Sequence, residues 1–475
     1  MDGKVEKKAQ LDLSRRAFLR GGVALGGALG ASMARPKLVG AMTRFAPPKW
    51  LRDAHAVARS ISVPTFSGRT RHLTPVEENC RENIQGAIDE MNSKGGGTIS
   101  LAKGQWRIQG PLRLTSHINL HLERGADLVF SGEPKDYLPT VVTRWEGTEL
   151  LGFSPYIYAY HAVDVALTGE GTISVDMSGD VRNWRTQQTE SQKKLRAQGT
   201  SGTPLAERVY GEGAFLRQSC IQFFGCHNVL VEGIRIKDIP FWGVHLVFSH
   251  HVTVRKVSVE SALVNNDGVD VDSSTHVLIE QCVFNTGDDS IAIKAGRDLD
   301  GRRAGAPSEA VVIRDCVMNR SRSSGIAIGS EMSGGVRDVY VIRCRMGQVD
   351  TVVNIKSNLD RGGVVERIRA WNIQSVKCDR IIAISTSYHG YSGGNFPPTI
   401  QDIELDDIRS ESAETGIVIR GVATSPVKQV RLSSIHGARV KIPTQIQYAE
   451  NLSFESVVMN GKLVTAGELS PPNSK

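Results

Sequence analysis

Asn265-Asn266-Asp267-Gly268-Val269-Asp270 and, one short strand later, Thr286-Gly287-Asp288-Asp289-Ser290 are the two acidic stretches on which the reading of this chain turns. Between them runs His276-Val277-Leu278-Ile279-Glu280-Gln281-Cys282-Val283-Phe284, where aliphatic residues alternate with polar ones as in a half-buried strand. Asp267 and Asp288 lie 21 residues apart. If that interval is one coil of a β-solenoid, the clusters stack on neighbouring rungs about 4.8 Å apart, and three carboxylates face one cleft.

The same strand pattern recurs outward in both directions. Copies begin at Asn228, His251, His276, Ala310, Asp338, Val365, Ile400, Val427 and Asn451, with intervals of 23, 25, 34, 28, 27, 35, 27 and 24 residues. Each alternates aliphatic with polar residues, then takes a turn and a second short strand. A β-sandwich also alternates, but its strands do not return as similar units at such a period. The expected fold is all-β: a single-stranded, right-handed parallel β-helix over residues 75–475. Asn83 to Met91 has helical apolar spacing and stops at Gly95-Gly96-Gly97, so a short N-terminal helix is expected to cap the solenoid core. Residues 35–74 read as irregular. The polar stretch Asp176 to Gly213 breaks the rhythm and reads as a loop insertion, either walling a groove or lying free on the surface.

Residues 1–34 read as a leader. Ser14-Arg15-Arg16-Ala17-Phe18-Leu19-Arg20 precedes the Gly/Ala-rich run Gly21 to Ala31, and Ser32-Met33-Ala34 supplies small residues for cleavage. Paired arginines before so weakly apolar a run point to twin-arginine export and a periplasmic or secreted protein. The run is too short and too rich in Gly to span a bilayer, so no membrane attachment is expected of the mature chain. Net charge is +7 for the whole chain and +4 without the leader, a mild basic excess that suits an acidic substrate. No Lys/Arg run with interleaved aromatics suggests nucleic acid. The seven cysteines form neither a CxxC pair nor a cluster with His, so buried free thiols are expected and no metal site or cofactor. A monomer is expected.

Stacked carboxylates raise one another's proton affinity, which leaves one protonated as an acid and another ionised as a base. Hydrolysis of a glycosidic bond needs that division of labour. Turn formation alone would also account for Asn, Asp and Gly at these positions.

The motifs resemble those of the polygalacturonases, glycoside hydrolase family 28. Asn265-Asn266-Asp267-Gly268-Val269-Asp270 is similar to the family's Asn-Thr-Asp-Gly element. Gly287-Asp288-Asp289-Ser290-Ile291-Ala292-Ile293-Lys294-Ala295-Gly296 is similar to its Gly-Asp-Asp element and continuation. The likeness extends to Gly325 to Gly335 and Ile355-Lys356-Ser357, and upstream to Pro240 to His245 and Gly95 to Ile99. It implies single displacement with inversion, Asp288 protonating the leaving oxygen, and Asp267 with Asp289 handling the attacking water. It also implies a pectic poly- or oligosaccharide as substrate, with Lys356 as a substrate-binding lysine and Lys294 beside the acidic rung.

Two positions depart from the family pattern. The family's Gly-His-Gly is here Ser323-Ser324-Gly325, and its Arg-Ile-Lys is Asn354-Ile355-Lys356. Ser324 and Asn354 thus stand where a histidine and an arginine would touch substrate, which makes a rhamnogalacturonan-type, substituted or terminal-sugar substrate a real alternative. His245 and Trp242 precede the site by one coil and are candidates to line the groove. Tyr388 is a candidate sugar-stacking ring, and His389 a candidate to replace the missing histidine. A β-helix that binds carbohydrate without cleaving it is a reading from another class. A calcium-dependent lyase is a third, which Asn354 in place of Arg disfavours.

Overall fold

The computed structural model describes residues 47–390 and 393–466. The leader assigned to residues 1–34, and Tyr391, lie outside them. Strands run along three stacked columns, and each coil contributes one strand to each. The first column contains Ile157–Tyr160, Ile221–Phe224, Val244–Val247, Val269–Asp272, Ile291–Lys294 and Ser324–Gly329, each hydrogen-bonded in parallel to the next. The second holds Val163–Gly169, His227–Glu232, His250–Arg255, Thr275–Glu280, Ser308–Arg314 and Val336–Ile342. The third holds Thr172–Val175, Arg235–Lys237, Ser258–Ser261, Val283–Thr286 and Val317–Ser321. Toward the C-terminus the columns run together: Arg345–Lys356 spans the third and first, and Val364–Ser385 and Ile403–Arg420 span all three. The fold is a parallel β-helix.

Alternation along each strand sends one set of side chains into the bore and the other outward. Val252, Val254, Val277, Ile279, Val311 and Ile313 stack inside, all but excluded from solvent. All seven cysteines are buried and free. Helix Arg81–Ser93 buries Ile84, Ala87, Ile88 and Met91 in the same core, beside strand Gly97–Leu101.

Two segments differ from expectation. Residues 51–60, expected to be irregular, form a helix whose Leu51 and Ala54 pack with Trp50 and Ile61 on Leu278, Val312, Tyr340 and Ile342, on the outer face of the second column. So short a buried stripe leaves little periodicity to read. The insertion is largely helical rather than a loop: Trp184–Gln187 and Thr189–Ser201 are α-helices. Within Thr189–Ser201 only Leu195 and Gly199 are buried, so no amphipathic pattern shows in the sequence.

Candidate active site

The two motif turns sit at the start of adjacent strands in the first column. Val269 pairs with Ile291, so the coil here is 22 residues, one more than the spacing from Asp267 to Asp288. Asp267 is therefore level with Asp289, while the Asp288 N–H donates to the carbonyl of Asn266 at 3.3 Å. The turns approach so closely that neither glycine tolerates a side chain. A Cβ on Gly268 would lie 2.4 Å from the Ser290 carbonyl oxygen, and one on Gly287 would lie 1.9 Å from that of Leu263. Asn266 is buried with its amide fully used. It donates to the carbonyls of Ile239 (3.0 Å) and Phe241 (3.1 Å) and accepts from Ser261 Oγ (2.6 Å) and the Leu263 N–H (2.8 Å). The Asp288 carbonyl accepts from Thr286 Oγ1 at 2.8 Å and Ser321 Oγ at 2.7 Å. Both turns are thus fixed from the coils on either side.

The carboxylates have unlike surroundings. Asp289 is buried, and Lys356 Nζ donates to its Oδ2 at 2.8 Å. Its Oδ1 accepts from Ser323 Oγ (2.7 Å) and the Ser324 N–H (2.8 Å). Burial alone would raise its pKa, but Lys356, Lys294 and these donors outweigh it and hold Asp289 at about 2. Asp288 is half-buried; Asn265 Nδ2 (3.4 Å) and the Asp289 N–H (3.0 Å) donate to its carboxyl, and the Ser323 hydroxyl is within reach of it. Burial, then the Asp289 charge, push its pKa upward. Asp267 is buried 3.4 Å from Lys294 Nζ, and burial followed by the charge of Asp270 raises it far above the ordinary carboxylate range.

Lys294 is a hub, with Asp267, Asp270 (3.2 Å) and Glu331 (3.9 Å) around its ammonium. Burial opposes its charge, but these acids hold it protonated. Its Nζ lies 4.3 Å above the ring of Trp242, a cation–π contact. Trp242 is buried rather than groove-lining, stacked on Phe241, which stacks on Trp145. Leu195 of the insertion, with Leu150 and Tyr210, completes this cluster. The insertion and the hairpin Val141–Trp145/Thr148–Gly152 therefore back Lys294.

The other expected site residues divide. Lys356 lies beside Asp289 with its Nζ 5.3 Å from the Tyr388 ring, so Tyr388 borders the site, half-buried, and His389 packs on Tyr388 at 3.9 Å. The two departures meet: Asn354 Nδ2 donates to Ser324 Oγ at 3.0 Å. His245 is fully buried, away from any groove. Gln222 Nε2 donates to its Nδ1 at 2.9 Å, and Asp272 lies 3.7 Å from its Nε2. Burial holds the ring neutral.

Residues outside the motifs also shape the site. Arg217 donates to Gln188 Oε1 of the insertion (3.0 Å), the carbonyls of Pro240 (2.7 Å) and Val264 (3.0 Å), and Asn265 Oδ1 (2.8 Å). It ties the insertion to the loop carrying Asp267, and burial lowers its pKa to about 10. An arginine 48 residues before Asn265 carries no sequence signal of that contact. Among the described residues, no group of three or more His, Cys, Asp or Glu side chains is arranged to hold a metal ion.

Comparison with known proteins agrees with this architecture. The profile of glycosyl hydrolases family 28 matches residues 213–456. The chain belongs to glycosyl hydrolases family 28. Among solved structures, this family-28 chain is similar to a hyperthermoactive exopolygalacturonase from Thermotoga maritima. They share 34% identity and a TM-score of 0.83, over 87% of this chain and 96% of that one. An endo-polygalacturonase of Pectobacterium parmentieri is 26% identical over 83% of this chain and 94% of its own length. A probable polygalacturonase of Vitis vinifera is 25% identical over 74% of this chain and 70% of its own. The protein is a glycoside hydrolase, and its two motif turns lie inside the matched span.

Proposed function

We propose that this enzyme hydrolyses galacturonan-type pectic poly- or oligosaccharides by single displacement with inversion. One observation carries the reading: adjacent carboxyls are driven in opposite directions, half-buried Asp288 upward and buried Asp289 down to about 2. That split sets a protonated acid and a fixed anion side by side in one dipeptide, which supports Asp288 as the proton donor. Asp288 delivers its proton to the glycosidic oxygen as that bond to the anomeric carbon breaks. A water oxygen bonds to the anomeric carbon from the opposite face, and Asp267 takes its proton while Asp289 orients it. Lys356 and Tyr388 border the sugar site, where a lysine suits a uronate carboxylate and a ring suits a sugar face.

The polygalacturonases among its relatives support a galacturonan substrate. A second reading, a rhamnogalacturonan-type or otherwise substituted pectin, rests on the Ser324–Asn354 hydrogen bond, which makes that part of the wall neutral. The Arg15-Arg16 segment supports export by the twin-arginine route. No helix among the described residues is long and apolar enough to cross a membrane.

Asp288→Asn tests the assignment. Turnover on homogalacturonan, measured as reducing ends, is expected to fall about 10²–10⁴-fold with oligosaccharide binding retained. Full activity in that variant would refute it. Unsaturated products absorbing in the ultraviolet would instead indicate elimination, and product masses on homogalacturonan and rhamnogalacturonan decide between the two substrates.

A further inference from the structure

Asp270 is a buried acid for which the mechanism above has no use. It sits on the outer face of strand Val269–Asp272, fully excluded from solvent, and neither of its oxygens accepts a hydrogen bond of good geometry. Its neighbours come from three strands and two turns. His245 is opposite in the preceding strand, and it is neutral, with Nδ1 occupied by Gln222. Ala292 is opposite in the following strand, and Lys294 at that strand's end places Nζ 3.2 Å from Asp270 Oδ1. Asp267 comes from the turn before it, and Asp289 from the next turn. Glu331 reaches the group only through Lys294.

Every other buried acid here has its own cation. Asp289 has Lys356 at 2.8 Å, Glu331 has Arg297 at 3.0 Å, and Asp272 has Arg144 at 3.0 Å. Asp267 and Asp270 are left with Lys294 alone. Two anions and one cation, taken out of water, leave an uncompensated buried charge, which is strongly unfavourable. One proton removes that charge, and a proton between the carboxyls also gives one of the two unbonded Asp270 oxygens a partner.

We infer that Asp267 and Asp270 hold one proton between them, with Lys294 as their shared cation, and that Asp270 is a positioning residue setting how strongly Asp267 draws a proton from the attacking water. This rests on the reading of Asp267 as a water-handling base. Once that proton has left, the negative field of Asp270 keeps Asp267 basic, so the ionised pair takes up the water's proton more readily than an isolated buried Asp267–Lys294 ion pair would, and loss of the shared proton sets the acidic limb. The macroscopic titration belongs to the pair rather than to either residue.

Asp270→Asn tests this, because the amide has the shape of a protonated carboxyl but cannot ionise. With Asp270's charge gone, Asp267 pairs with Lys294 alone and its proton affinity falls. The acidic limb of kcat/KM against pH is expected to move to lower pH by about one unit or more, the scale at which two sites count as coupled. Loss of a merely structural contact would lower the whole profile without moving the limb. A limb that stays in place overturns the inference. In wild-type enzyme labelled with ¹³C at the Asp side-chain carboxyls, a resonance besides that of Asp288 is expected to titrate well above the ordinary carboxylate range. This measurement needs no variant to fold, and finding every Asp carboxyl of the site except that of Asp288 ionised by about pH 5 overturns the inference equally. Asp288→Asn measured alongside separates the two failures. If it is inactive while the Asp270→Asn limb is unmoved, only the shared proton falls; if it is fully active, the reading of the site falls as well.

Discussion

Replacing Lys356 by Met removes the one ammonium in contact with Asp289 while keeping the chain's bulk over Tyr388. In the wild-type protein Asp289 is held at about 2, against roughly 3.9 in an unfolded chain. A depressed carboxyl contributes stability above its unfolded pKa and loses it as pH falls toward the folded value. Two units correspond to about 2.6 kcal/mol, present above about pH 4 and lost on going down to about pH 2. In the variant, burial is no longer outweighed by the Lys356 ammonium and pushes the Asp289 pKa above its unfolded value, which reverses the sign: stability is present while the group is protonated and is lost as pH rises. Stripping one partner from a buried pair costs about 3–5 kcal/mol when the remaining charge cannot be neutralised. The destabilisation should therefore be small near pH 3 and grow to about 3–5 kcal/mol near pH 7. Urea unfolding at a series of pH values measures it, read from the midpoint at constant slope. Turnover should fall in parallel, since a protonated Asp289 no longer draws water toward the anomeric carbon. A stability difference of the same size at every pH would refute the account and reduce Lys356 to a packing contact over Tyr388.

Arg217→Lys keeps the charge but loses the fork that reaches Gln188, two carbonyls and Asn265 at once. Leaving at least one buried acceptor unsatisfied predicts a loss of about 1–3 kcal/mol, with kcat falling because Asn265 no longer steadies Asp288; thermal melting and initial rates at one temperature check both. Ser324→His together with Asn354→Arg replaces the neutral hydrogen-bonded pair by the groups the family pattern carries there. A charged hydrogen bond of about 1.5–3 kcal/mol to a uronate predicts a rise of tenfold or more in kcat/KM for homogalacturonan relative to rhamnogalacturonan, measured on matched oligosaccharides.

The β-helix was legible because its cause is repetitive: each coil must bury aliphatic side chains against the last, so strands such as those at Val252 and Val277 repeat the same alternation. Both motif turns were legible for a similar reason, since close approach of backbones demands Gly268 and Gly287. What stayed hidden was built from single contacts. Helix Leu51–Ser60 buries only two of its own residues, and Thr189–Ser201 likewise. Arg217 works through hydrogen bonds to loops 23 to 48 residues away. His245 and Trp242 looked like groove residues because their strand neighbours the motif strand. The hairpin and insertion cover that coil, so Trp242 packs beneath Lys294, and His245 lies buried edge-on to the Trp242 ring at 4.8 Å.

The register of the two turns explains how neighbouring aspartates come to differ. Counting residues suggested Asp267 stacked on Asp288, but the ladder sets a coil of 22 and moves every pairing by one. A slip of one residue along a strand exchanges its two faces. Asp289 thereby lies level with Asp267, in the buried row with Lys356 and Lys294 beside it, and is held ionised. Asp288 lies level with Asn266, whose amide is already spent on Ile239, Phe241, Ser261 and Leu263. With the Asn266 amide unable to bind it, the Asp288 carboxyl is left half-buried, with weakly competing donors and no ammonium or guanidinium in contact among the described residues, the condition that keeps an acid protonated. Had the coil been 21 residues, Asp288 would share the buried row with Asp267 and Asp289 would face the spent amide. The acid and the anion would then have changed places along the chain.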